Sequence, residues 1–276
     1  MTTLIPSHLK IAFIGGGNMA SALIGGLLKE GASSSQIHVL EPDESARSRL
    51  QSSFSVTTWA SAGSFLDECA LLVWAIKPQI FKDVASSLAK HCTKQLHLSV
   101  AAGITTSSLQ TWIANPRIVR AMPNTPALIG LGQTGLFATS AVSEGDKVLV
   151  AQVFAPTGQF IWVDQEQQLD AVTALSGSGP AYVFYFIEAL MQAGQDMGLS
   201  LTDAKQLAIG TFTGASTLAL QSTESPNVLR ERVTSKGGTT FAALEHMRAT
   251  HVSEHIQAAL LAAQHRAKEL GEEFGR

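Results

Sequence analysis

The sequence predicts an α/β fold in which a doubly wound parallel sheet over residues 1–164 is followed by an all-helical domain over residues 165–276. Three observations lead there. Short, continuously apolar runs recur through the first half and alternate with helix-compatible segments, as strands covered on both faces do. A glycine or proline stops each run. Beyond about Gln165 such runs vanish and long helical patterns replace them.

The first strand is Ile11-Ala12-Phe13-Ile14, broken at Gly15-Gly16-Gly17, and a helix fits Asn18 to Lys29 with Gly31 at its C-terminal side. A second strand reads at Ile37 to Leu40, before Pro42 and a polar helix carrying Arg47 and Arg49. Leu71 to Ile76 is the third, stopped by Lys77-Pro78. Leu96 to Ala101 repeats the pattern and ends in Gly103, and Ile118-Val119-Arg120 leads into Met122-Pro123-Asn124-Thr125-Pro126. In the second half helices fit Pro180 to Met197, Leu201 to Gln221, Phe241 to Ala249 and His251 to Leu270. The second of these carries Ala208, Gly210, Gly214, Ala215 and Ala219, small residues that let helices approach closely. These helices are apolar beyond what a single buried face requires, so this domain is expected to dimerise, giving a homodimer or a larger homo-oligomer.

Composition narrows the function. The chain of 276 residues is long enough for two domains with cores of their own. Its 22 acidic and 19 basic residues leave a net charge of −3, with no Lys/Arg stripe, which excludes nucleic acid and anionic membrane surfaces as partners. No run of about 18 apolar residues is present to span a bilayer, and the first ten residues lack the apolar core of a signal peptide. The two cysteines, Cys69 and Cys92, form no C-x-x-C pair, so a disulfide framework is not expected and a reducing compartment is. The expected location is cytoplasmic.

Gly15-x-Gly17-x-x-Ala20 follows a strand and opens a helix. The first glycine makes the tight turn, the second lets backbone approach a pyrophosphate, and the small third residue lets helix pack on strand. In that setting the pattern marks a Rossmann-like site for a dinucleotide, NADP or NAD. Glu41, at the end of the second strand, is placed to bond the ribose hydroxyls of NAD, while Arg47 and Arg49 just beyond are within reach of a 2′-phosphate. These residues leave the choice open.

A second unusual stretch is Arg232-Val233-Thr234-Ser235-Lys236-Gly237-Gly238-Thr239-Thr240-Phe241. Hydroxyl residues flank two glycines that lead directly into a helix. Free amides and hydroxyls converge there in a form suited to a carboxylate, although the same residues could serve as helix capping alone.

Six motifs in order resemble the pyrroline-5-carboxylate reductase family: the glycine turn ending in Asn18-Met19-Ala20, Ala75-Ile76-Lys77-Pro78-Gln79, Ser99-Val100-Ala101-Ala102-Gly103, Arg120 to Pro126, Ser176 to Tyr182, and the Ser235 to Thr240 loop. The resemblance runs from residue 11 to about 245. It implies NAD(P)H-dependent hydride transfer to the C=N bond of 1-pyrroline-5-carboxylate, giving L-proline. It assigns Gly15, Gly17, Asn18 and Met19 to the cofactor phosphates, and Ala75, Lys77 and Pro78 to the ribose and nicotinamide. Ala101, Gly103 and Asn124 go to the nicotinamide end. Ser235, Gly238 and Thr239 are assigned to the substrate carboxylate, Thr240 to the ring nitrogen as the catalytic hydroxyl, and Glu224 to the same pocket. The chain departs from the family at Lys236, where proline is common, and Glu41 bears on the usual NADPH preference. A protonated cyclic imine is already electrophilic, so the reaction needs positioning more than a strong general acid.

Other readings carry less. His251-Val252-Ser253-Glu254-His255 matches H-x-x-E-H with both histidines on one helix face, but no third zinc ligand is announced, and no metal is expected. Ser178 sits between glycines, yet a nucleophile elbow needs glycine where Ser176 stands. A β-hydroxyacid dehydrogenase would need a catalytic lysine, for which Lys205 is the nearest candidate. A non-catalytic NAD(P)H-sensing protein would have no use for the carboxylate loop.

Overall fold

The computed structural model describes residues 5–275. By contact the chain forms two compact units. One comprises the residues up to Ser178 together with those from Ala262 onward, and the other is Gly179–Leu261.

The first unit holds one sheet of eight strands: β1 (Ile11–Ile14), β2 (Ile37–Leu40), β3 (Thr57–Trp59), β4 (Leu71–Trp74), β5 (Leu96–Ser99), β6 (Ile118–Met122), β7 (Gly132–Ala138) and β8 (Gly158–Trp162), in the order β3-β2-β1-β4-β5-β6-β7-β8. The helices between them are α1 (Asn18–Lys29), α2 (Glu44–Phe54), α3 (Pro78–Leu88), α4 (Thr106–Ile113) and α5 (Glu144–Phe154), and α6 (Gln168–Val172) follows the last strand. The expected sheet is present, but it is mostly rather than wholly parallel, since β7 runs antiparallel to β6. The reversal is local. A short 3-10 segment, Thr125–Ile129, ends at Gly130 with φ of +75°, and the chain turns straight back into β7.

Period-two alternation divides the core. Ile11 and Phe13 of β1 and Leu71 and Val73 of β4 join one cluster with Leu23 and Leu27 of α1. Ala12, Ile14, Leu72 and Trp74 face the other side, with Phe81 of α3 and Leu109 of α4. Because each strand is covered on both faces, every residue of β1, β2, β4 and β5 is buried. His97 on β5 is one of three polar residues, with His38 and Ser99, buried in these strands. Its Nδ1 accepts from Trp74 Nε1 at 3.0 Å, so Nε2 carries the proton and donates to the Cys92 carbonyl at 3.0 Å. Burial then lowers its pKa to about 4.

Three strands were not expected from the sequence. β3 is only three residues long, and β7 and β8 begin on glycines that read as loop. Each glycine is a close-packing site. A Cβ on Gly132 would lie 2.8 Å from the Thr157 carbonyl oxygen, and one on Gly135 would lie 2.8 Å from both Val172 methyls.

The second unit is helical: α7 (Gly179–Asp196), α8 (Leu201–Gln221), α9 (Pro226–Arg232), α10 (Thr239–Ala249) and the start of α11 (Val252–Phe274), which from Ala262 onward belongs to the first unit. α7 and α8 form an antiparallel hairpin in which Gly194 admits Ala204, and Phe186 stacks on Phe212 with ring centroids 6.4 Å apart. Many large apolar side chains stay exposed here, among them Phe184, Tyr185, Leu207, Leu218 and Leu220.

Candidate functional site

In the first unit the strand order reverses between β1 and β4, which leave in opposite directions toward β2 and β5. Ligands of open α/β sheets bind in the crevice outside the carboxyl ends of strands at such a switch point. The loops gathered there are Gly15–Gly17, Ala75–Lys77 and the segment after β5, tied by backbone bonds from Gly15 N to Leu40 O (2.8 Å), Ala75 N to Ile14 O (2.9 Å) and Val100 N to Trp74 O (3.1 Å).

The glycines have separate jobs. Gly15 has φ of +95°, and a Cβ on it would lie 2.6 Å from the Ala75 carbonyl oxygen, so neither conformation nor space admits another residue. At Gly17 a Cβ would meet nothing within 4 Å. Gly17 is also the N-cap of α1, with no side-chain cap and no acid in the first turn. An exposed helix N-terminus with open space before it is what a pyrophosphate requires, so the residues fit the dinucleotide. Asn18 is exposed beside it, whereas the Met19 side chain packs against the core and offers only its backbone to a ligand.

Glu41 is held by the protein itself. Its Oε2 accepts the Gly16 N–H at 2.9 Å and its Oε1 accepts the Asp43 N–H at 3.0 Å. Arg47 is also committed: its Nη1 donates to the carbonyls of Glu41 (2.9 Å) and Pro42 (2.7 Å). Lys77 is the exposed N-cap of α3, and Pro78 is its first helical residue, where the missing N–H costs nothing.

Beyond β5, Ala101 is buried and its N–H donates to Ser99 Oγ at 3.3 Å. Gly103 has φ of +78° and lies against Leu270 and Gly271 of α11. Asn124 is buried, with its Nδ2 donating to the Ser176 carbonyl at 3.0 Å and its Oδ1 accepting the Gln133 N–H at 2.9 Å. The Ser176 hydroxyl is itself buried without a partner among the described residues.

Sequence reasoning missed one network in this unit. Glu166 accepts from the Thr106 N–H (2.7 Å), the Thr106 hydroxyl (2.6 Å) and Arg120 Nη1 (2.6 Å), and so fixes the start of α4 just after Gly103. Arg120 is 8% exposed and Glu166 18%. Burial raises the pKa of Asp170 nearby, against the charge of Arg120.

In the second unit, Ser235 to Gly238 form a turn closed by Gly238 N–H to Ser235 O at 3.0 Å, with Gly237 at φ of +77°. Positive φ at the third residue is the type II signature, and proline is common at the second. That accounts physically for family proline where this chain has Lys236. Gly238 is the N-cap of α10, again with no side-chain cap and no acid in the first turn. Thr240 therefore lies inside the helix rather than at its cap. Among the described residues nothing bonds the hydroxyls of Ser235, Thr239 or Thr240. Glu224 instead pairs with Arg232, whose Nη2 donates to Oε1 at 2.5 Å.

The histidine motif departs from expectation. His251 precedes α11 with φ of +56°, so it does not share a helix face with His255, and its Nδ1 lies 3.5 Å from Glu254. Among the described residues no group of three metal-ligating side chains converges, and no helix is long and apolar enough to cross a membrane. Cys69 and Cys92 are buried thiols, each pushed up to about 12 by desolvation.

A family described as pyrroline-5-carboxylate reductase dimerisation matches residues 166–270, and one described as NADP oxidoreductase, coenzyme F420-dependent, matches residues 10–103. The pyrroline-5-carboxylate reductase of Pseudomonas aeruginosa is 41% identical over 97% of this chain and 98% of its own. Among solved structures, a pyrroline-5-carboxylate reductase from Coxiella burnetii superposes with a TM-score of 0.90 at 37% identity, over 95% of this chain and 98% of that one. The Plasmodium falciparum enzyme with NADP bound gives 0.86 at 28% identity, over 96% and 99%. With 41% identity over nearly the whole of both chains, this chain belongs to the pyrroline-5-carboxylate reductase family.

Proposed function

We propose that this chain catalyses the NAD(P)H-dependent reduction of 1-pyrroline-5-carboxylate to L-proline. The observation that carries the reading is the turn at Ser235–Gly238. An uncapped helix N-terminus without first-turn acids stands beside three hydroxyls that nothing among the described residues engages, which suits a substrate bearing a carboxylate next to a ring nitrogen. When bound, the nicotinamide supplies the hydride; a proton completes the conversion of C=N to a secondary amine.

The chain's own residues supply position. Gly15 shapes the turn, and Gly17, Asn18 and the backbone of Met19 receive the phosphates at the start of α1. Glu41, Ala75, Lys77 and Pro78 border the ribose and nicotinamide, and Ala101, Gly103 and Asn124 form the nicotinamide end. Asn124 serves by holding the Ser176 segment in place. Ser235, Gly238 and Thr239 bind the carboxylate, Thr240 bonds the ring nitrogen, and Glu224 acts through Arg232. The helical unit forms a homodimer or larger homo-oligomer, its exposed Phe184, Tyr185, Leu207, Leu218 and Leu220 being covered in the assembly, and the enzyme works in the cytoplasm.

The test is oxidation of NAD(P)H with 1-pyrroline-5-carboxylate, run beside oxidation of 3-hydroxy acids with NAD(P)+. Imine reduction alone is expected. Turnover only of the hydroxy acids would replace the reading with a β-hydroxyacid dehydrogenase, and cofactor binding without turnover would leave a sensor. Sedimentation as a monomer at working concentration would remove the dimer.

A further inference from the structure

Granted the reduction just proposed, the turn after β2 bears on which nicotinamide cofactor the chain selects. β2 ends at Leu40, and Glu41-Pro42-Asp43-Glu44 leads into α2. The Glu41 carboxylate is fixed at both oxygens, by the N–H of Gly16 in the glycine turn and by the N–H of Asp43. It is thus built into the cofactor loop. A dinucleotide seated on that loop brings its adenine-side ribose hydroxyls to the end of the second strand. A carboxylate there accepts from a 2′-hydroxyl. It repels a 2′-phosphate, which has no donor to offer and carries a charge of roughly −1.5 to −2.

Two features that could offset this repulsion are already engaged. The N-terminus of α2 would attract phosphate, but Asp43 caps it, with Oδ1 accepting the Ala46 N–H at 2.7 Å and the Ser45 hydroxyl at 2.6 Å. Those two bonds hold the Asp43 carboxyl below its ordinary pKa, so the cap is itself an anion. Arg47 Nη1 is spent on the carbonyls of Glu41 and Pro42. Arg49 is exposed on α2, and its charge acts on the Asp43 carboxylate, one of three acids in the run that also holds Glu41 and Glu44.

We propose that Glu41 is a specificity-determining residue that makes this chain prefer NADH to NADPH. Repulsion between a carboxylate and a phosphate dianion about 5 Å apart in a water-like medium lowers affinity by on the order of tenfold. The rival role for Glu41 is purely structural, a brace for the glycine turn, and the two roles differ in what they do to the ratio of affinities.

The experiment measures dissociation constants of NADH and NADPH by quenching of tryptophan fluorescence for the full-length protein, Glu41→Gln and Asp43→Asn. kcat/KM with 1-pyrroline-5-carboxylate is measured for each cofactor alongside. The wild type is expected to bind NADH on the order of tenfold more tightly than NADPH. Glu41→Gln, nearly isosteric, should move the ratio toward NADPH by a similar factor. Asp43→Asn keeps an oxygen to cap α2 and should move it the same way by less. A wild type that binds NADPH as tightly as NADH overturns the proposal. So does a Glu41→Gln that weakens both cofactors equally, which would leave Glu41 a brace. Absence of imine reduction with either cofactor would instead remove the assigned reaction, and the affinity ratios would still decide the role of Glu41.

Discussion

Replacing Thr240 by alanine separates chemistry from folding. Thr240 is the second residue of α10, Gly238 is the N-cap, and among the described residues nothing bonds the Thr240 hydroxyl. Its removal therefore leaves no buried partner unsatisfied. Alanine is also the better helix former, by up to about 0.7 kcal/mol, so the melting temperature should hold or rise slightly. If the hydroxyl bonds the ring nitrogen of a charged imine, its loss removes about 1.5–3 kcal/mol, or on the order of tenfold to a hundredfold in kcat/KM. Thr240→Ser keeps the oxygen and should recover most of the activity. The assay is kcat/KM for 1-pyrroline-5-carboxylate, NADPH affinity and melting temperature on the same three proteins. Full activity in the alanine variant, or a loss of activity matched by a loss of stability, would refute the role given to this hydroxyl.

The glycine turn offers a contrast between neighbours. Gly15→Ala forces a Cβ to 2.6 Å from a carbonyl at φ of +95° and should lower the unfolding free energy by about 2 kcal/mol or more, read by urea denaturation. Gly17→Ala meets no protein atom within 4 Å and should leave stability within about 0.5 kcal/mol while weakening NAD(P)H binding, read by titration. Glu166→Ala strands Arg120, whose side chain is 8% exposed, and should cost about 3–5 kcal/mol, with Glu166→Gln milder on the same denaturation curve. Burial takes His97 down to a folded pKa of about 4 from the ordinary histidine value of 6.5. The unfolded chain thus binds the extra proton first, so its stability contribution is complete above pH 6.5 and is lost as pH falls toward 4, by roughly 3 kcal/mol. A His97→Gln variant, though less stable at pH 7, should show a flatter curve between those pH values, and an equally steep one would assign the acid sensitivity elsewhere.

What could be read from the sequence follows from which contacts are local. β1, β2, β4 and β5 are buried on both faces, and that forces unbroken apolar runs such as Leu71-Leu72-Val73-Trp74. The glycine turn was legible for the same reason: strand, glycines and helix start all fall within ten residues, Ile11 to Ala20. β7 was not, because Gly132 and Gly135 imitate a loop while serving packing against Thr157 and Val172, partners 25 and 37 residues away in the chain. Glu41 was half legible. Its position at a strand end pointed to the ribose, but its bond to Gly16, 25 residues earlier, is a tertiary fact.

The Glu166 network shows the limit most sharply. Its partners Arg120 and Thr106 lie 46 and 60 residues away, and no short motif joins them. Yet Arg120 opens the run that continues to Pro126, and Thr106 opens α4 three residues after Gly103. One carboxylate thus ties together two segments that the family resemblance assigns to the nicotinamide end. A buried ion pair does little for net stability unless its bonds are all satisfied, and here Glu166 accepts three. Tying the start of α4 to β6 is a use for the pair that the sequence, read motif by motif, could not disclose.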